Sequence, residues 1–70
     1  MTQKNVVMST LFEEDFEAIN DRLEDMGIDI IEKRYDLLYH RYEVYARVTI
    51  RQSYMLRRFV KKLAVSILVV

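Results

Sequence analysis

Residues 13–27 read Glu-Glu-Asp-Phe-Glu-Ala-Ile-Asn-Asp-Arg-Leu-Glu-Asp-Met-Gly, and this stretch decides how the chain is organised. Four apolar side chains in it recur at intervals of three and four residues: Phe16, Ile19, Leu23 and Met26. That spacing forms one face of an α-helix, and the acidic residues lie opposite and in the first turn, where the helix dipole favours them. Gly27 follows where a left-handed residue ends a helix. The pattern predicts a helix over residues 13–26, with Thr10 and Glu13 at capping-box spacing.

Strand-like segments lie on both sides of this helix. Residues 4–11 contain a β-branched run, and residues 28–38 contain three isoleucines, two leucines and Tyr35. Residues 42–50 alternate apolar and polar side chains, which is typical of a strand with one buried face. The break falls within residues 38–41, where no Gly, Pro or Asn identifies a turn type. One continuous helix over residues 35–45 is the alternative, and the Val, Thr and Ile content that follows argues against it.

A second helix and a last strand complete the chain. Ser53 is the predicted N-cap of this helix, and residues 64–70 form the predicted strand. The order is then β-α-β-β-α-β. This order predicts an α+β, ferredoxin-like two-layer sandwich, in which two helices cover one face of a four-stranded antiparallel sheet. The second and fourth strands would be its edges.

Length and composition narrow the function classes. The 70 residues predict a single domain over residues 1–70. The absence of Cys and Pro, with one His and one Gly, excludes disulfides, Zn sites of His or Cys ligands, and phosphate-cradling glycine loops. The acids of residues 13–17 are interpreted as a solvated helix start and His40 as an exposed turn residue. We therefore expect no enzyme, no metal and no cofactor.

The ends of the chain predict no targeting signal. The apolar run at residues 6–8 is shorter than a signal-peptide core, and residues 63–70 are too few to span a bilayer. The expectation is therefore no membrane, with the cytoplasm as the default location.

Charge is divided between the two halves of the chain. Residues 1–32 carry nine acids and two bases, a balance of −7, and residues 33–70 carry two acids and nine bases, a balance of +7. The favoured interpretation is that the acidic first helix neutralises the basic second helix. The alternative is that the basic side of the second helix binds a partner. That side comprises Arg57, Arg58, Lys61 and Lys62.

Two further surfaces are candidate interfaces. Tyrosines interleave with bases over residues 33–54, but the sheet motif of RNA-recognition domains is absent, which argues against nucleic acid. Alternation places Tyr45 and Arg47 on the open sheet face, and both residue types are common at protein interfaces. In the last strand, Val65, Ile67 and Val69 share one face, and the opposite face is also largely apolar. An edge strand of this kind indicates a homodimer or a larger protein partner.

The helix of residues 13–26, its terminal glycine and the following Gly27-Ile-Asp-Ile run resemble an ACT domain, most closely the regulatory small subunit of acetohydroxyacid synthase. The tail Val60-Lys-Lys-Leu-Ala-Val-Ser-Ile-Leu-Val69 resembles the helix end and last strand of that family. The resemblance implies a regulatory domain that binds a catalytic subunit of amino-acid biosynthesis. It also implies a small amino-acid effector near a dimer interface, at the loop formed by Leu11, Phe12, Glu13, Glu14 and Asp15. This loop has Glu13-Glu14 where the family usually has Pro-Gly.

Two functional hypotheses follow. The first is a non-enzymatic regulatory or protein-interaction module. The second is a small inhibitor or adaptor that binds a protein or RNA through the Tyr/Arg-rich hairpin and the basic helix.

Overall fold

The computed structural model describes residues 3–70, and its elements follow the predicted order. The strands are β1 (Gln3–Thr10), β2 (Asp29–Asp36), β3 (Arg41–Thr49) and β4 (Val65–Val69), and the helices are α1 (Glu13–Asp25) and α2 (Ile50–Val60). All neighbouring strands are antiparallel, in the order β2-β3-β1-β4. The predicted ferredoxin-like βαββαβ fold is confirmed, with β2 and β4 as the sheet edges. No helix among residues 3–70 is long and apolar enough to cross a membrane.

Strict alternation along the two central strands places the core on one face of the sheet. Buried side chains come from every second position of β1 and β3 and from the inner sides of both helices. They include Val6, Met8, Val44, Ala46, Val48, Ile19, Leu23, Leu56 and Val60. Both helices therefore cover the same face, and the opposite face of the sheet is left open.

The end of α1 is the predicted glycine stop. Gly27 has φ +67°, the left-handed region that a side chain rarely adopts. Its N–H donates to the Glu24 carbonyl, and the Ile28 N–H donates to the Leu23 carbonyl, both over 3.0 Å. This pair of bonds is the Schellman motif, and it directs buried Ile28 into the core.

The predicted cap of α1 is wrong. The N-cap is Phe12, and no side chain caps the helix. Thr10 is the last residue of β1 and only 3% exposed. Its hydroxyl accepts from the Phe12 N–H and donates to the Ala64 carbonyl. Thr10 therefore bonds to the two loops at this end of the sheet and not to the helix, because its side chain lies on the buried face of the strand.

The predicted cap of α2 is also wrong. Thr49 caps the helix, and its hydroxyl accepts from the Gln52 N–H over 3.1 Å. The Thr49 N–H donates in return to Gln52 Oε1 over 2.9 Å, which completes a capping box. Ser53 lies within the first turn and donates to the Ile50 carbonyl. Strand β3 runs directly into α2, so the cap falls at the last residue of the strand.

The chain segment of the alternative helix forms the β2–β3 hairpin instead. The turn occupies residues 37–40, close to the predicted break. Asp36 stabilises it, because its Oδ1 accepts from the N–H groups of Leu38 (2.9 Å) and Tyr39 (3.3 Å). His40 takes a left-handed φ of 52°. A carboxylate therefore sets the turn that no Gly, Pro or Asn identified.

Candidate functional site

The five predicted ligand residues lie together in one open cleft. Leu11, Phe12, Glu13, Glu14 and Asp15 line it, and Tyr42 and Ala64 complete its walls. Its volume is about 660 Å³. Sequence reasoning missed Tyr42 and Ala64, because they reach the cleft only when β3 and the α2–β4 loop pack beside the start of α1.

Two hydrogen bonds to the backbone of Ala64 fix the shape of this cleft. The Ala64 carbonyl accepts from the Thr10 hydroxyl over 2.8 Å, and the Ala64 N–H donates to Asp15 Oδ2 over 3.1 Å. Both partners lie far away in the sequence, Thr10 at the end of β1 and Asp15 in the first turn of α1. The α2–β4 loop is therefore held against the cleft by its backbone, and the Asp15 carboxylate has a structural role there.

The lining of the cleft is negatively charged. Its lining includes three carboxylates, and none of them forms an ion pair among residues 3–70. Partial burial raises the pKa of Tyr42, and the nearby Glu13 carboxylate raises it further. Such a lining attracts a cationic group and repels a free carboxylate. An amino acid would have to enter with its ammonium group towards the loop.

The tyrosines do not form a stacking platform on the open sheet face. Tyr42 lies on the helix-covered face, in alternation with Val44, and its ring stacks on Phe16 with centroids 5.1 Å apart. Tyr35 packs on the other side of Tyr42 at 4.8 Å. Tyr45 is half-buried, and the guanidinium of Arg34 lies 5.4 Å from its ring centroid. These contacts leave no row of free rings for base stacking along the sheet.

His40 lies at the turn, as the sequence suggested. Its Nδ1 is 3.4 Å from the Tyr35 hydroxyl, and both groups are exposed. Neither a serine nor a carboxylate bonds to this imidazole among the described residues. Nor do residues 3–70 contain a group of three His, Asp or Glu side chains spaced to hold a metal ion.

Exposed apolar side chains concentrate at one end of the sheet. Thr10 pairs with Tyr42 and Tyr42 with Tyr35, so the hairpin turn and the start of α1 lie beyond the same row of residues. Leu37 and Leu38 are 77% and 78% exposed at the tip of the hairpin. We call this surface the apolar end, and it consists of Leu11, Phe12, Leu37, Leu38 and Tyr39.

The predicted interface of β4 is oriented as expected. Val65, Ile67 and Val69 point towards the helices and are half-buried against the core. The exposed side chains of β4 are those of the open face, where Leu68 is 64% exposed. Pairing of Val7 with both Tyr45 and Leu68 makes an apolar row across β3, β1 and β4. Exposed Arg47 lies beside this row on β3.

The expected neutralisation of α2 by α1 does not occur. The basic side of α2 (Arg57, Arg58, Lys61 and Lys62) is exposed. None of these cations lies within 4.0 Å of a carboxylate in residues 3–70, where the ion pairs are Arg34–Glu32 and Arg41–Glu43. The side of α1 that meets α2 carries its single base, and the Arg22 guanidinium lies 5.4 Å from the Phe59 ring centroid. Apart from half-buried Asp15, the acids of α1 therefore face solvent.

Comparison with known proteins gives no match to any family model, curated protein or solved structure. The resemblance to an ACT domain therefore stays a prediction that rests on the residues quoted above.

Proposed function

We propose that this chain is a non-enzymatic interaction module that binds a partner protein through its apolar end. The observation that carries the proposal is the exposure of five large apolar side chains at one end of the sheet. Several large exposed apolar side chains at one end of a small protein are typical of a surface that another molecule covers.

The hairpin tip is suited to act as an anchor. Asp36 fixes the turn by accepting from two backbone N–H groups, so Leu37 and Leu38 project from an ordered loop. An anchor that is already ordered loses less conformational entropy when it binds. Tyr39 adds an aromatic ring, with the Arg41 guanidinium 5.2 Å from its centroid. Tyr and Arg are the residue types most common at interface hot spots.

The acids beside the apolar end indicate the chemistry of the partner. Glu13 and Glu14 adjoin Phe12, and neither has a basic partner among the described residues. A complementary surface would have apolar pockets rimmed by Lys or Arg. By its resemblance to the ACT family, the chain would find this surface on a catalytic subunit of amino-acid biosynthesis.

The experiment is affinity capture from a lysate of the source organism with three forms of the tagged protein. These are wild type, Leu37→Ser with Leu38→Ser, and a control with Ile31→Ser and Met55→Ser, which removes exposed apolar side chains elsewhere. We expect one protein to bind wild type and control and to be lost from the hairpin variant. With that protein purified, the hairpin variant should bind at least about tenfold more weakly.

Equal retention by all three forms would contradict the proposal. Binding that disappears on nuclease treatment, or that falls steeply with salt, would favour the inhibitor or adaptor hypothesis and the basic side of α2. Far-ultraviolet circular dichroism of each form ensures that lost binding is not lost folding.

The second candidate is a regulatory domain with a small amino-acid effector, and the cleft favours it. All five loop residues that the resemblance assigns to the effector line this one cleft with Tyr42. The test is thermal unfolding with L-valine, L-leucine and L-isoleucine. An effector at a hundred times its Kd stabilises by about 2.7 kcal/mol. The absence of any shift with the three amino acids at millimolar concentration would exclude this candidate.

A further inference from the structure

The two edges of the sheet differ in their protection against pairing. Edge β2 carries charged side chains at Asp29, Glu32, Lys33, Arg34 and Asp36, and a bulge between Ile30 and Glu32 interrupts its register. Charges and bulges are the usual devices that keep an edge strand from pairing with another chain. Edge β4 reads Val-Ser-Ile-Leu-Val and has no charge, no proline and no bulge.

The backbone groups on the free side of β4 can be identified. The Val70 N–H donates to the Asn5 carbonyl over 2.8 Å, so Val70 and Asn5 form a hydrogen-bonded pair. Such pairs alternate along antiparallel strands. Ser66 and Leu68 therefore direct their backbone groups to β1, and Val65, Ile67 and Val69 direct theirs outwards. Among residues 3–70, β4 has a neighbouring strand on one side only.

We propose that β4 pairs with β4 of a second copy of this chain, antiparallel and centred on Ile67. A two-fold axis perpendicular to the sheet then passes between the two Ile67 residues. Val65 lies opposite Val69 of the second copy, and Ser66 lies opposite Leu68. The three outward-facing residues of each copy form hydrogen-bonded pairs, which gives about six backbone hydrogen bonds. The product is one continuous eight-stranded sheet with all four helices on the same face.

Side-chain chemistry favours this occupant. Every cross-strand pair in the proposed register is uncharged, so no like charges oppose each other. Val65, Ile67 and Val69 are half-exposed on the helix side and would bury further against their counterparts. Exposed Ile50 and Tyr54 line a shallow cleft with Val69, which Lys4 and Arg57 also border, so α2 contributes apolar surface beside the same edge. A chain of this size also buries a small core on its own, so association would add stability.

The experiment compares three forms by sedimentation equilibrium over a range of concentrations. They are wild type, Ser66→Lys with Leu68→Lys, and Ser66→Lys with Leu68→Glu. Both positions are exposed on the open face, so the monomer fold tolerates the substitutions. In the proposed register the first variant opposes like charges across the axis and the second opposes unlike charges. We expect wild type and the Lys/Glu variant to dimerise and the Lys/Lys variant to dissociate at least about tenfold more readily.

Three outcomes would overturn the pairing. Wild type could be a monomer at about 100 μM, well above the Kd of most stable dimers. Both variants could associate as wild type does. Both could instead lose the dimer equally, which would indicate packing between open sheet faces, where either pair of charges is disruptive.

A disulfide provides a second, independent readout, because the chain has no cysteine of its own. Ser66 and Leu68 of the second copy form a non-hydrogen-bonded pair in this register, with Cα atoms about 4.5 Å apart. That separation is within the range of a disulfide. The variant Ser66→Cys with Leu68→Cys should become a covalent dimer on mild oxidation. Ser66→Cys alone is the matched control and should cross-link much more slowly, because its counterpart lies diagonally across the axis.

Discussion

The hydroxyl group of Thr10 donates a hydrogen bond to the carbonyl oxygen of Ala64 over 2.8 Å, and it joins the end of β1 to the loop before β4. The hydroxyl oxygen of Thr10 in turn accepts a hydrogen bond from the Phe12 N–H over 3.1 Å. Replacement of Thr10 by Val keeps the shape of the side chain and leaves both backbone groups without this partner. We expect a loss of about 1–3 kcal/mol in the free energy of unfolding. Urea denaturation measures it, and Thr10→Ser, which retains the hydroxyl, should lose much less.

The start of α2 offers a test between two capping residues. Thr49 and Gln52 satisfy each other's backbone N–H groups. We expect Thr49→Ala to lower the free energy of unfolding by about 1 kcal/mol. Ser53→Ala should stay within about 0.5 kcal/mol of wild type, because Ser53 bonds only back into its own turn and alanine favours the helix. Equal losses in the two variants would contradict the assignment of the cap to Thr49.

The raised pKa of Tyr42 predicts that the free energy of unfolding depends on pH in the alkaline range. Partial burial and then the Glu13 carboxylate raise its pKa in the folded protein above that of an unfolded chain. The unfolded state therefore releases this proton first as the pH rises. The contribution of Tyr42 is complete below the unfolded pKa and declines as the pH passes through the folded pKa. Denaturation between pH 8 and about pH 11 should show a steeper loss for wild type than for Tyr42→Phe. Parallel curves for the two proteins would contradict this prediction.

The basic side of α2 should matter little for stability. Arg57, Arg58, Lys61 and Lys62 lie beyond 4.0 Å from every carboxylate in the described part of the chain. We expect their joint replacement by Gln to change the free energy of unfolding by less than about 1 kcal/mol, mainly through the helix dipole. A larger loss of unfolding free energy, matched by an equal loss when salt is added to wild type, would indicate that these bases pair with the acids of α1. The variant Arg22→Gln serves as a comparison for these four replacements, because it removes the contact between the Arg22 guanidinium and the Phe59 ring.

The hairpin tip should depend on a single carboxylate. Asp36→Ala removes the acceptor for the N–H groups of Leu38 and Tyr39, and Asp36→Asn retains an oxygen there. We expect faster amide hydrogen exchange at residues 38 and 39 in the Ala variant, with a thermal midpoint close to wild type. Such a change would be local because the turn is exposed and remote from the core. Unchanged exchange in the Ala variant would show that the turn is ordered without Asp36.

Some features of the candidate site were readable from the sequence and others were not. The resemblance predicts loop residues 11–15 as the ligand loop, and Asp36 and the Thr49-x-x-Gln52 spacing are local sequence signals of the hairpin turn and the α2 cap. Tyr42 and Ala64 carried no such signal, because the alternation of β3 assigns Tyr42 to the covered face without showing that it reaches the start of α1. The assembly of the negatively charged cleft thus depends on packing between elements that are distant in the sequence.

The amino-acid sequence by itself determined the six elements, their order and the buried faces of α1 and β3. Apolar residues at intervals of three and four define the inner side of α1, and Val44, Ala46 and Val48 at intervals of two define that of β3. These signals are local, since a helix or strand must bury one side whatever its neighbours are. Gly27 belongs to the same class, because its left-handed backbone is a property of one position.

Only the tertiary structure decided which charges meet and which surfaces remain free. The sequence totals suggested that acidic α1 would neutralise basic α2, but α1 presents Arg22 and its apolar side to its neighbour. Burial of apolar area outweighs exposed ion pairs, which are worth about 0–1 kcal/mol each. Helix rotation therefore follows the core and leaves the acids in solvent.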